Sequence, residues 1–129
     1  FRVADEMTEI FTSIHTTYKP YVHQQKAFER LTGEDGRSTL IATGTGSGKT
    51  ECFIYPILEY CYKHRGEKGI KALIIYPMNA LASDQAKRIA ELVHNSPELK
   101  NNVSVGMYVG GHEDSPSRVM SEDRVITDH

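Results

Sequence analysis

The apolar residues of this chain recur at two different spacings along its length. A helical spacing predicts helices over residues 5–17, 22–31, 48–64 and 80–94. Short β-prone runs predict strands over residues 38–42, 70–76 and 103–109. The alternation of strand and helix after residue 38 indicates an α/β fold with right-handed crossovers and a mostly parallel sheet.

The strongest strand signal lies in residues 70–76, IKALIIY, which are apolar on both faces at the centre. Such a run is typical of a strand buried inside a parallel sheet. The helical spacing also predicts a core made of the following side chains: Phe53, Ile54, Ile57, Leu58, Cys61, Leu81, Ala82, Ile89, Leu92 and Val93. Pro56 lies inside one predicted helix and is expected to kink it.

Composition narrows the class of protein. The chain has 129 residues, 39% of them hydrophobic, which is enough for one domain with a core. Its net charge of −2 gives no support for a basic nucleic-acid tail. The longest apolar run, residues 72–78, is too short to cross a membrane, so we expect no membrane partner.

The start of the chain and its two cysteines add expectations about the cellular location of the protein. The first residue is Phe1 rather than Met, which suggests a piece of a longer chain. Residues 1–6 have no basic flank before an apolar stretch, so they are not expected to be a signal peptide. The two cysteines, Cys52 and Cys61, cannot form a disulfide framework. We therefore expect a reducing, cytoplasmic location.

The clearest chemical signal is the segment TGTGSGKT, residues 43–50, between a predicted strand and its helix. It matches G-x-x-x-x-G-K-[ST] except that Thr43 replaces the first glycine. Its alternate glycines let backbone amides approach a polyphosphate, and the following helix N-terminus adds further donors. Lys49 would reach the β- and γ-phosphates, and the hydroxyl of Thr50 would ligate Mg²⁺. The residues expected to contact the nucleotide are Thr45, Gly46, Ser47, Gly48, Lys49 and Thr50.

Weaker signals flank this loop. Upstream, Gln24 begins a helix, and a glutamine amide can pair with both N6 and N7 of adenine. Downstream, residues 77–85 lead from the best strand into a helix whose first amides could bind a backbone phosphate. A glycine pair, residues 110–111, ends the next strand. Each of these signals alone is also compatible with an ordinary helix start or turn.

In this order and spacing, the signals resemble the first motor domain of superfamily 2 helicases, the DEAD/DEAH-box class in the broad sense. HQxxA at residues 23–27 is similar to the Q-type adenine-recognition motif, and residues 42–50 are similar to motif I. PxxALxxxQ at residues 77–85 is similar to motif Ia, and residues 110–111 are similar to the glycine pair that follows it.

The resemblance implies a RecA-like P-loop NTPase, a three-layer fold with a mostly parallel sheet. It also implies ATP with Mg²⁺, adenine recognition by Gln24, and catalytic roles for Lys49 and Thr50. A single strand of DNA or RNA would be the partner, together with a second RecA-like domain of the same motor. The residues that would hold the strand are Pro77, Asn79, Ala80, Gln85, Gly110 and Gly111.

The chemistry of hydrolysis is incomplete in this sequence. Residues 1–37 would carry N-terminal helices with the Q-type motif, and residues 38–129 would form the P-loop core. The D-E-x-D/H motif of the resembled family, which supplies the metal carboxylate and activates water, is absent from residues 51–129. We therefore expect a truncated, partial ATP-binding domain that does not hydrolyse ATP alone.

Three functions are compatible with these observations. The first is the ATP-binding segment of an ATP-dependent nucleic-acid helicase or translocase. The second is a P-loop enzyme of another class, such as a small-molecule kinase, although a kinase would not explain the pattern of residues 77–85. The third is a nucleotide-regulated scaffold that keeps the cradle but has lost hydrolysis.

Overall fold

The computed structural model describes residues 2–4, 11–14 and 19–108, and the backbone alone of residues 117–118. The chain divides into two compact units, Phe1–His64 and Arg65–His129. The first contains α1 (Val22–Thr32) and α2 (Lys49–Lys63). The second contains the elements α3 (Asn79–Asn95), α4 (Pro97–Lys100), β1 (Gly106–Met107) and β2 (Ser117–Arg118).

The three long helices lie where the apolar spacing predicts them, within one or two residues at each end. In α3 the buried side chains follow a single stripe, Ala86, Ile89, Ala90 and Val93, which are three or four residues apart. Along the chain from residue 19 to 108, no helix is long and apolar enough to span a bilayer.

The predicted core is confirmed in part. Ile54, Leu58, Ile89 and Val93 are buried. The remaining predicted core side chains are only half-buried: Phe53, Ile57, Cys61, Leu81, Ala82 and Leu92. Both cysteines are free thiols, and burial raises the pKa of Cys52 despite an opposing backbone hydrogen bond.

An aromatic cluster joins α1 to α2 in the first unit. The ring of Phe28 in α1 lies 5.9 Å from that of Tyr55 in α2, measured between centroids. Phe11 packs edge-on against both, at 4.9 Å from Phe28 and 5.8 Å from Tyr55. Such pairs contribute beyond the apolar area that they bury, so the cluster fixes the two helices against each other.

The N-terminal segment departs from its predicted helix over residues 5–17. Residues 11–14 are bent and irregular, and residues 5–10 and 15–18 lie outside the described residues. The physical reason is a tertiary contact: the backbone N–H groups of Thr12 and Ser13 donate to the carboxylate of Glu59 in α2. A carboxylate that binds these amides competes directly with the local hydrogen bonds of a helix.

The predicted strands are the largest difference. Residues 38–42 and 70–76 are assigned to no strand, and the one ladder between described strands is antiparallel, with Gly106 opposite Arg118. Leu73 and Ile75, predicted to be buried, are 78% and 82% exposed. A strand needs a second backbone to pair with, and an apolar run by itself cannot supply one.

Residues 95–102 are more regular than their polar composition predicts. Residues 95–102, expected to be a turn region, contain α4, which begins at Pro97 and buries Leu99 completely. Proline is favoured in the first turn of a helix because its missing N–H has no partner to lose. Of the described residues of the predicted strand, 103–108, Gly106–Met107 form a strand, and Ser83 of α3 contacts Met107.

Candidate nucleotide-binding site

The glycine-rich segment, residues 43–50, is a tight turn that leads into α2. Gly46 and Gly48 have φ values of 76° and 71°, a left-handed conformation that side chains disfavour. Gly48 is the N-cap of α2, so the first amides of that helix follow the turn directly. Two of the alternate glycines of this segment, Gly46 and Gly48, therefore lie where the backbone conformation favours glycine.

Two side-chain contacts close the loop on itself. Lys49 Nζ donates to the carbonyl oxygen of Thr43 at 2.8 Å, so the lysine spans the loop from its end to its start. The hydroxyl groups of Thr43 and Ser47 are hydrogen-bonded, and Ser47 is buried. Thr43, the departure from the strict motif, thus supplies a bond that glycine could not. A contact from Ser47 to a nucleotide would have to come from its backbone amide.

The start of α1 is hydrogen-bonded to the end of the loop. Gln24 Nε2 donates to the carbonyl of Gly48 at 3.0 Å, and His23 Nε2 lies 2.7 Å from the carbonyl oxygen of Ser47. Gln24 is only 4% exposed, and its Oε1 accepts from the N–H of Tyr21 at 2.9 Å. Both ends of the Gln24 amide are therefore engaged within the chain, and its role in adenine recognition stays a prediction.

The loop has the space and the donors that a triphosphate requires. A side chain built at Gly46 would meet nothing within 4 Å, so the surface above this turn is open. Lys49 brings a positive charge, and the N-terminus of a 15-residue helix adds a partial positive charge. Thr50, in the first turn of α2, presents the hydroxyl predicted to ligate Mg²⁺.

Alanine substitutions at three glycines should separate the effect of backbone strain on stability from the effect of steric crowding. Gly46→Ala should lower the free energy of unfolding by about 1–2 kcal/mol, because φ is positive at this position. Gly48→Ala should cost about 1 kcal/mol more, since its Cβ would lie 2.4 Å from Gln24 Nε2 and disrupt a hydrogen bond. Gly66 has neither constraint and is the control, with a change within about 0.5 kcal/mol. Urea unfolding measures all three, and equal losses would contradict the prediction.

The predicted nucleic-acid residues belong to the second unit, where α3 begins. Pro77, Asn79 and Ala80 are exposed. The N-cap of α3 is Met78, which makes no side-chain capping bond, and Asn79 is the first helical residue. Among the residues from 19 to 108, Gln85 Oε1 is buried and has no hydrogen-bond partner. The predicted glycine pair, residues 110–111, lies outside the described residues.

Two contributors to this architecture were not assigned a role from the sequence. His23 was recognised only as part of the HQ pair, and its contact with Ser47 joins residues 24 positions apart. Glu59 carried no prediction from the sequence, and its side chain is 1% exposed. A charged residue within the apolar stripe of α2 was the available signal for Glu59, because such a residue needs partners when buried.

Comparison with known proteins decides the family. The sequence model of the DEAD/DEAH box helicase family matches residues 21–124 of this chain. This chain belongs to the DEAD/DEAH box helicase family. Membership confirms the resemblance found in the sequence and implies a RecA-like α/β fold.

The individual relatives match only part of the chain. It is 44% identical over 89 residues to the Druantia protein DruE of Escherichia coli (strain UMEA 4076-1), covering 64% of this chain and 5% of that protein. It is 33% identical over 103 residues to the ATP-dependent RNA helicase mak5 of Aspergillus oryzae (strain ATCC 42149 / RIB 40), covering 72% of this chain and 13% of that protein.

A third relative is the uncharacterized ATP-dependent helicase YprA of Bacillus subtilis (strain 168). The identity is 34% over 73 residues, which cover 57% of this chain and 9% of that protein. The chain thus spans only a small part of the length of the curated relatives that it matches. No solved structure gives a significant match.

Proposed function

We propose that this chain is the ATP-binding part of an ATP-dependent nucleic-acid helicase or translocase. The observation that carries the proposal is the loop of residues 43–50, with two left-handed glycines and Lys49 held across it. A loop of this kind at a helix N-terminus suits the triphosphate tail of a nucleotide. The relatives that match the chain include proteins named as ATP-dependent helicases.

Each residue of the loop has a proposed part in nucleotide binding. Thr45 to Gly48 offer backbone amides to the phosphates, Lys49 neutralises their charge, and Thr50 ligates Mg²⁺. Gln24 recognises adenine, which requires its amide to exchange one of its present hydrogen bonds for the base. Bound ATP with Mg²⁺ supplies the phosphoryl transfer that drives the motor.

The proposed nucleic-acid contacts lie at the start of α3 and at residues 110–111. Exposed Pro77, Asn79 and Ala80 leave the first amides of α3 accessible to a backbone phosphate of a single strand. Backbone amides and small polar groups can hold such a strand without a basic surface, which is consistent with a net charge of −2. Gln85 is the remaining member of this set, and its amide N–H₂ is the group able to donate to a phosphate.

The finer architecture is also proposed. Residues 38–42 and 70–76 are proposed as inner strands of a mostly parallel RecA-like sheet, because the family implies that fold and both segments carry an apolar run suited to a buried strand. A second RecA-like domain and the D-E-x-D/H motif would come from the rest of the motor. The free thiols of Cys52 and Cys61 support a reducing, cytoplasmic location.

Asn79→Asp tests the nucleic-acid part of the proposal in the full-length protein. Aspartate at the first position of α3 favours the helix dipole, so the helix stays intact while its charge repels a phosphate. The nucleic-acid concentration for half-maximal ATPase stimulation should rise by about tenfold, which corresponds to roughly 1.4 kcal/mol. The KM for ATP should be unchanged.

Asn95→Asp is the matched control, because Asn95 is exposed at the opposite end of the same helix. It should leave stimulation by single-stranded DNA or RNA near the wild-type level. If both variants respond to nucleic acid as the wild type does, the contact at α3 is wrong. If neither DNA nor RNA stimulates the ATPase of the wild type, the motor function itself is wrong.

A further inference from the structure

Two consecutive carbonyl groups at the end of the loop accept hydrogen bonds from α1. His23 Nε2 lies 2.7 Å from the oxygen of Ser47, and Gln24 Nε2 lies 3.0 Å from the oxygen of Gly48. A carbonyl can only accept, so Nε2 is the protonated nitrogen of the His23 ring. The first of these bonds is made by His23, a residue that has no role in the nucleotide site as proposed so far.

The hydrogen bond from His23 fixes the direction of the Ser47 carbonyl and also that of the Gly48 N–H, which belongs to the same peptide group. The described residues contain no cis peptide bond. In a planar trans peptide, the C=O of one residue and the N–H of the next point in opposite directions. Holding the Ser47 carbonyl towards His23 therefore turns the N–H of Gly48 to the opposite side.

This peptide precedes a glycine, so its orientation is only weakly restrained by the backbone itself. Gly48 has a φ of 71°, and glycine adopts positive and negative φ almost equally well. Rotation of the Ser47–Gly48 peptide would consequently meet little resistance from the backbone itself. A rotated peptide would present a carbonyl oxygen where a phosphate needs a donor.

His23 is well placed to act as a rigid restraint. Its ring stacks on that of Tyr21, with 5.6 Å between centroids and 17° between planes. α1 is packed onto α2 through Phe28 and Tyr55, whose rings are 5.9 Å apart. The donor and the loop that it contacts are thus parts of one packed pair of helices.

We propose that His23 is a positioning residue for the triphosphate, which holds the Ser47–Gly48 peptide so that the amide of Gly48 faces the phosphates. The inference rests on the proposed nucleotide function and goes beyond it. His23 acts on the phosphate cradle and not on the base, whereas Gln24 is proposed to recognise adenine. The two roles can therefore be separated by ligands that carry only phosphates or only the base.

His23→Met and His23→Gln form a matched pair, because the two side chains have similar size and helix propensity but only glutamine has a donor. In the full-length protein, His23→Met should weaken binding of ATP and of inorganic tripolyphosphate by about tenfold each, as expected for one lost hydrogen bond. Adenosine should bind as it does to the wild type. His23→Gln should bind all three within about twofold of the wild type, since the donor is restored.

Several outcomes would overturn the proposal. They are wild-type affinity of His23→Met for tripolyphosphate, an equal loss for adenosine and ATP, or failure of His23→Gln to recover phosphate binding. Should His23→Met not fold, His23→Gln alone decides, because a tenfold loss in that variant contradicts a donor role. If the wild type binds neither ATP nor tripolyphosphate, the nucleotide function fails instead.

Discussion

Lys49→Ala should lower ATP turnover by the full-length protein at least about 100-fold, the scale reached when one preorganised charge-stabilising donor is removed. The ammonium group is already held at the loop by the carbonyl of Thr43, at 2.8 Å. Its charge would lie beside the β- and γ-phosphates, where negative charge must be stabilised during transfer. Steady-state ATPase kinetics with saturating nucleic acid measures the effect.

Two further variants make the result specific to the position. Lys49→Arg keeps the charge but replaces a compact ammonium group by a planar fork, so partial activity is expected. Lys68 is exposed in the segment after α2, and Lys68→Ala should turn over ATP at the wild-type rate. Equal turnover by Lys49→Ala and the wild type would remove the basis for a phosphate site in this loop.

Glu59→Ala should have the largest effect on folding, a loss of about 3 kcal/mol in the free energy of unfolding. The carboxylate is 1% exposed and accepts from both the backbone and the hydroxyl groups of Thr12 and Ser13. Alanine would remove this acceptor from all of these donors, and those of Ser13 are buried. Urea unfolding measures the loss directly.

Glu91→Ala is the control, because Glu91 is exposed on α3 and should change stability by less than about 0.5 kcal/mol. Lys63 Nζ lies 4.0 Å from Glu59 and is half-exposed, so its attraction contributes little beside the hydrogen bonds. A loss at Glu59 no larger than at Glu91 would show that the N-terminal contact does not stabilise the first unit.

The contribution of Glu59 should also depend on pH. Burial alone would raise the pKa of Glu59, but the hydrogen bonds from Ser13 and Thr12 outweigh it and hold the pKa below its ordinary 4.5. A lowered pKa in the folded protein means stability that is present above pH 4.5 and lost as the pH falls through the folded value. The advantage of wild type over Glu59→Gln should therefore be constant near neutrality and shrink in acid.

The sequence by itself determined the helices and the nature of the site. α1, α2 and α3 form where the spacing predicts them because helical hydrogen bonds join residues only four positions apart. The positive φ values of Gly46 and Gly48 were likewise predictable, since each depends on the residue at that position. The family could also be predicted from the sequence, because motif I and motif Ia are short continuous segments.

Tertiary structure alone decided the contacts between distant residues. The conformation of residues 11–14 is set by hydrogen bonds to Glu59, which is more than forty positions away, and not by their own helical spacing. His23 and Gln24 reach carbonyl groups 24 positions along the chain. Residues 70–76 have the composition of a buried strand but no strand partner among the described residues, because pairing and burial are properties of the neighbours. A local pattern specifies what a segment can become, and the free energy of its long-range contacts selects which of these states forms.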